Sequence, residues 1–396
     1  MAGAAAAVSP PVEKADATAW IAVAAGALGA MLATLDISIV NSALPTIQGE
    51  IGATGTEGTW IATAFLVAEI IIIPLSAWLE RLLGLRTLLI VAVSAFTAFS
   101  VLCGIATDLT TMIIGRTGQG FMGGALIPTA MTIVAKRLPP SQQPIGMALF
   151  GMTVVLGPVM GPLVGGWLTE NLSWHYAFFV NVPVCALLLA LLFIGLPHEK
   201  PDWVYLREAD WAGIAGMILG LGGLTIVLEE GHREEWFDST LIVQLTLMTV
   251  VGFALLTYGQ LYARKPVLKL RLMLSRQFAS VVVMALALGM VMYGSTYVIP
   301  QFLAIISDYN ALQTGLVIFW MGVPAFLLMP VLPFMIRRIH IRIAVGAGMF
   351  IMALSCFVSI NLTAESGGGV FTESQFLRGI GMILTMMFLN QATVAS

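Results

Sequence analysis

Apolar runs alternate with short polar breaks along the whole chain, at about 19–45, 58–79, 87–106, 110–135, 144–168, 175–196, 211–229, 240–262, 278–305, 312–336, 343–362 and 374–396. A helix needs roughly 20 apolar residues to cross the hydrocarbon core of a bilayer, so the pattern predicts twelve membrane spans. Nothing in it resembles the short alternating segments of a transmembrane barrel. Backbone in lipid must satisfy its own hydrogen bonds, which leaves an all-α polytopic bundle. Residues 1–17 read as a disordered tail. Without a basic start they are no signal peptide, and the first span stays in the mature protein.

Charge orients these spans. If the N-terminus is inside, fifteen of the eighteen Lys and Arg residues fall in inner loops, Arg233 alone falls outside, and Arg116 and Arg378 lie within spans. So lopsided a split predicts a cytoplasmic N-terminus. Two longer inner connections, His198–Asp210 and Arg264–Gln277, bracket the seventh and eighth spans, which are joined by the acidic outer loop Glu229–Glu235. The predicted layout is the tail, a six-helix bundle over 18–197, an inserted helix pair with its flanking loops over 198–277, and four helices over 278–396. Arg116 and Arg378 each begin a glycine-bearing stretch in the fourth span of a group, once the inserted pair is set aside, so the two groups read as a duplicated unit. The second copy stops two helices short at Ser396, and the chain reads as part of a longer one.

Composition agrees: 59% of residues are hydrophobic and only 10% charged, with a mean hydropathy of +0.95, whereas soluble domains are about one quarter charged. A net charge of −3 with no basic stripe excludes nucleic acid as a partner. Cys103, Cys185 and Cys356 lie inside apolar runs without metal-ligand spacing and read as small core residues. There is no phosphate loop, His/Glu metal motif or paired catalytic carboxylates, so an enzyme, a metal and a bound cofactor are not expected.

Four charges lie within spans: Asp36, Glu69, Arg116 and Arg378. An aspartate at mid-bilayer costs about 2.5 to 3.5 kcal/mol on insertion scales, and such residues mark ion and proton paths more often than chance. A buried arginine stays protonated and needs an anion, so Asp36 is expected to approach Arg116; snorkelling of Arg116 to the interface is the alternative. Glu69 reads as a second proton site, a selector of cationic substrates, or a neutral acid bonded to a neighbouring helix. In the fifth span Gly157, Pro158, Gly161, Pro162, Gly165 and Gly166 place glycines at i, i+4 and i+8, which predicts close helix packing, here at the boundary between the two six-helix units. The ninth span gathers Met292, Tyr293 and Tyr297, side chains suited to a pocket that accepts several shapes, although lipid contact or packing is the better reading of most of its methionines and aromatics.

These residues resemble the fourteen-helix drug:proton antiporter branch of the major facilitator superfamily, the EmrB/QacA family. Leu35-Asp36 through Asn41-Ser42-Ala43-Leu44-Pro45 is similar to its first-helix motif, with Ser38 in a threonine position. Arg116, Gln119 and Gly120 match its fourth-helix motif, and Gly157–Gly166 the end of its antiporter motif, although Ala148 replaces the first glycine. Ser173–Pro183 resembles the start of its sixth helix, with His175 where arginine is usual. Arg81 stands where the superfamily's loop motif has aspartate, so no gating role passes to that position. Thr59-Trp60-Ile61 and Pro139-Pro140 also fit this family. The resemblance implies a proton-coupled exporter of amphipathic or hydrophobic compounds in a bacterial inner membrane, with no cofactor beyond the proton gradient, and with a periplasmic adaptor and outer-membrane channel as partners. Its rivals are a carrier for one metabolite or siderophore and a non-transporting membrane sensor or scaffold.

Overall fold

The computed structural model describes residues 14–54, 57–263, 265–268, 270, 275–328, 331–360, 362–363 and 366–395; within these, the side chains of 277, 296, 297, 304, 305, 311, 312, 325, 333, 336, 337 and 391–395 are outside the description. Most of the predicted disordered tail therefore lies outside the described residues. The helices are α1 (Ala17–Ile51), α2 (Trp60–Leu83), α3 (Leu85–Gly104), α4 (Leu109–Gly123), α5 (Leu126–Arg137), α6 (Gln143–Asn171), α7 (Tyr176–Phe179), α8 (Asn181–Gly195), α9 (Val204–Arg207), α10 (Trp211–Glu230), α11 (Thr240–Tyr262), α12 (Arg276–Ile306), α13 (Ala311–Leu328), α14 (Leu332–Arg338), α15 (Ile341–Val358) and α16 (Phe371–Ala395). Among the described residues there is no strand.

Nine helical stretches among the described residues are long and apolar enough to cross a membrane. Three of the twelve predicted spans differ from that standard. The fourth breaks between α4 and α5 at Gly124-Ala125, where Pro128 has no N–H to offer the Gly124 carbonyl. The described part of the tenth runs to Leu328, beside residues outside the description, and the polar start of α16, with Glu373, Ser374, Gln375 and Arg378, lowers the apolarity of the twelfth. The sixth span is interrupted at Val180, because Pro183 leaves the Phe179 carbonyl without its helical donor.

Helix starts follow from capping chemistry. Asp16 and Asp108 accept the amides of Ala19 and Thr111 at 2.8 Å each, satisfying donors that a helix start leaves free. Hydrogen bonds from the Thr18 and Thr111 hydroxyls, then from those amides, hold both carboxyls below the usual aspartate range. Between α2 and α3 the chain turns at Gly84, whose φ of 80° disfavours a side chain, and Glu199 caps the Leu85 amide at 2.7 Å.

Two apolar cores share one helix. The first joins α1, α3, α5 and α8 to Met147, Phe150 and Val154 of α6. The second joins α12, α13, α15 and α16 to Ala148, Val155 and Val159 of the same helix. The pair α10 and α11 closes on itself through glycines: a methyl group on Gly216 would lie 2.7 Å from the Gly252 carbonyl oxygen. It docks on α2 where buried Glu230 accepts the Thr63 hydroxyl at 2.7 Å and pairs with Arg233 at 3.1 Å, while Arg233 also reaches Thr59.

Cys103 and Cys185 are buried as expected, but Cys356 is exposed. An apolar run does not reveal which of its residues stay exposed.

Candidate functional site

Glycines of α4 bring three helices close enough to bury a guanidinium. A methyl group at Gly120 would meet the backbone of α2 at Phe65, and one at Gly115 or Gly118 would strike Cys103 or Phe99 of α3. Small residues permit such backbone approach in membrane bundles. Arg116, between these glycines, is 1% exposed and Asp36 is 0% exposed. Arg116 therefore does not snorkel.

The two charges meet at 2.7 Å, Arg116 Nη1 to Asp36 Oδ2. Desolvating a charged pair costs more than its attraction returns unless further hydrogen bonds complete it, and here they do. Asp36 Oδ1 accepts from Asn181 Nδ2 at 2.6 Å and from Gln119 Nε2 at 3.2 Å. Arg116 also donates to Gln119 Oε1 at 3.1 Å and to the Ile61 carbonyl at 3.2 Å, and its guanidinium carbon lies 4.2 Å from the Phe65 ring centre. Ser100 accepts from Gln119 at 2.8 Å and from Asn181 at 3.3 Å. The network thus ties α1, α2, α3, α4 and α8 together. Three N–H donors fill three of the roughly four acceptor sites of the carboxylate, so a proton added to Asp36 removes the charge that the ion pair and the charge-assisted bonds depend on.

Glu69 stands apart from this network. It is 7% exposed, lies within electrostatic range of both Arg116 and Asp36, and forms no hydrogen bond among the described residues, so the neighbour-bonded acid considered from sequence is not what the structure holds. Phe65 and Glu69 share one face of α2 at the i, i+4 spacing, which sets the acid one turn from the ring under Arg116. Across from it, Tyr293 of α12 is 66% exposed and interacts electrostatically with Glu69.

Other expected residues separate. Met292 is packed in the second core, which corrects its placement as pocket lining: it shares a buried face of α12 with Leu288, whereas Tyr293 lies outside that core and toward Glu69. The Tyr297 side chain lies outside the described residues. Asn41 and Pro45 are exposed and stay out of the Asp36 network. Gly157, Gly161 and Gly165 do make a tight contact, but not at the boundary between the two groups of helices. They face α1, where added methyls would collide with Thr34, Ser38 and Ser42. Gly166 is buried on the same helix. The close approach across the boundary is made instead by glycines of α13, with Gly315 against Pro162 and Leu163 and Gly322 against Val159.

Asn181 and Ser100 were not singled out from sequence. Asn181 carries a usable signal, since it precedes Pro183 in the stretch that resembles the sixth-helix motif; a single serine in an apolar span, such as Ser100, carries none. Among the described residues no group of His, Cys, Asp and Glu is placed to hold a metal.

Residues 26–396 match the Major Facilitator Superfamily. The chain is 32% identical over 379 residues to the colistin resistance protein EmrB of Acinetobacter baumannii, a match that covers 96% of this chain and 74% of that protein. It is also 32% identical over 371 residues to the multidrug export protein EmrB of Escherichia coli K12, covering 93% and 72%. Its fold is similar to that of the proton:xylose symporter XylE, with a TM-score of 0.62 at 14% identity over 94% of this chain and 81% of that one.

Proposed function

Because the chain belongs to the major facilitator superfamily, and so is a multi-pass membrane transporter, we propose that it is an EmrB-like multidrug exporter that exchanges inward protons for outward amphipathic or hydrophobic compounds. The observation that carries this reading is the sealed Asp36 carboxylate, bound by Arg116, Gln119 and Asn181. Protonation of Asp36 removes the anion that compensates Arg116 and weakens those bonds, which lose their charge-assisted character. The freed guanidinium is within electrostatic range of Glu69, which sits one helical turn from the ring it already covers. Proton uptake thus exchanges one carboxylate partner of Arg116 for another and strains the contacts among five helices. Two bundles rocking about a midplane site turn such a change into alternating access. A charge crossing 100 mV yields about 2.3 kcal/mol to drive uphill export.

The excess of Lys and Arg in alternate loops supports an inner-membrane protein with its N-terminus in the cytoplasm. We assign the proton gradient as its energy source, and a periplasmic adaptor with an outer-membrane channel as partners. Reconstitution tests the reading: in vesicles with an acidic lumen on the outer-facing side, the protein should move an amphipathic dye against its gradient and collapse the pH difference as it does so. Transport that is indifferent to the pH difference contradicts it.

A further inference from the structure

Along α1, Thr34, Ser38 and Ser42 recur at the spacing of Gly157, Gly161 and Gly165 on α6, and the two stripes face one another. Within this contact α6 carries two prolines, Pro158 and Pro162, each of which interrupts its backbone ladder. Pro162 has no N–H, so the carbonyl of Pro158 lacks its donor four residues on. The hydroxyl of Ser38 supplies it, donating to Pro158 O at 3.2 Å. Ser38 is two residues beyond Asp36, roughly 200° around the helix at 100° per residue. One short stretch of α1 therefore grips Arg116 on one side and mends the broken turn of α6 on the other.

The far side of that turn belongs to the other half of the molecule. Gly315 of α13 lies against Pro162 and Leu163, Gly322 against Val159, and Gly151 of α6 against Met387 of α16. Adjacent residues of α6 go to different cores, Val154 to the first and Val155 to the second.

We propose that Ser38 is a positioning residue for coupling: its hydroxyl, bonded to the proline-freed carbonyl of Pro158, links displacement of α1 at Asp36 to α6 and through it to α13 and α16. Packing alone asks only for a small side chain at position 38, and alanine would meet that demand. The bond to the carbonyl asks for a hydroxyl. This inference rests on the proton-coupled reading above, and a mutant cycle separates the two.

Ser38→Ala, Ser38→Thr, Pro162→Ala and the double variant Ser38→Ala/Pro162→Ala are reconstituted and matched for amount. Two rates are read for each: dye movement driven by a pH gradient across a range of pH, and dye exchange at equal pH. Networks of this kind modulate coupling roughly two- to thirtyfold. Ser38→Ala should lower the gradient-driven rate by a factor in that range and shift its pH profile, while exchange at equal pH is preserved. Ser38→Thr should restore both. In the Pro162→Ala background, where residue 162 again has an N–H for the Pro158 carbonyl, Ser38→Ala should add nothing. The proposal is overturned if Ser38→Ala matches the unmodified protein, if it lowers both rates equally, or if its effect is undiminished beside Pro162→Ala. An unmodified protein that ignores the gradient while exchanging dye would bring down the proton-coupled reading first, and this one with it.

Discussion

Arg116 and Arg378 occupy matching places in the two halves of the chain, and the neighbourhoods they keep are different. Both are almost wholly buried, at 1% and 4% exposure. Arg116 has a carboxylate at 2.7 Å and amide groups around it. Arg378 has Gln375 at 2.9 Å, the thiol of Cys356, and an Nε with no partner among the described residues. From 276 to 395 the helices contain a single acid, the exposed Glu373. A cation held by a carboxylate can be released by one proton, whereas Arg378 is held by an amide and a thiol, with no carboxylate paired to it among the described residues. On the proposed reading, the first half carries the proton chemistry and the second half answers it mechanically, through α6.

The largest effect should come from Arg116→Gln. Removing one member of a buried ion pair costs about 3 to 5 kcal/mol, because the remaining charge is stranded. We expect lower yield, a lower melting temperature in detergent, and no gradient-driven transport; wild-type stability would mean that the pair is not buried as described. Gly161→Leu should come next. It places a side chain where α6 touches Ser38, and overpacking costs typically about 1 to 3 kcal/mol, so transport should fall by more than expression does. If the protein takes leucine there without loss, the α1 to α6 contact is looser than the structure has it.

Glu69→Gln should have an intermediate effect. A second partner for Arg116 is needed for coupling whatever the cargo, so export of a cationic and of a neutral compound of similar size should both decline. Loss confined to the cation would instead move Glu69 from the coupling path to substrate recognition. The smallest effect is expected from Arg378→Gln, which should leave the pH profile of transport in place and change the rate no more than the amount of folded protein changes. A displaced pH profile in that variant would erase the contrast between the two halves.

How much of this was legible in the sequence depended on how rare each signal is. Charged residues in apolar runs are scarce, and so Asp36, Arg116 and Glu69 stood out, with Gln119 following from its motif. Asn181 and Ser100 complete the carboxylate's surroundings, yet neutral polar residues are common in membrane helices and do not identify their partners. The glycine spacing of α6 announced a close contact without saying with what. Its partner was written on α1 as Thr34, Ser38 and Ser42, a complementary stripe that has meaning only when the two patterns are compared. The breaks at Gly124 and Val180 followed from Pro128 and Pro183, whose missing N–H groups act four residues upstream, inside runs that hydropathy alone treats as continuous.

The most direct test of proton coupling at Asp36 compares Asp36→Asn with the unmodified protein in vesicles, recording lumenal pH and dye movement together. Asparagine keeps the size and an acceptor for Arg116 but not the compensating charge, so yield falls and the assay is matched for folded protein; it cannot cycle a proton. We expect the variant to exchange dye at equal pH, to move none against its gradient when a pH difference is imposed, and to leave that difference undissipated when dye is added. Gradient-driven dye export by Asp36→Asn at the unmodified rate, with lumenal pH changing as it proceeds, would contradict the account.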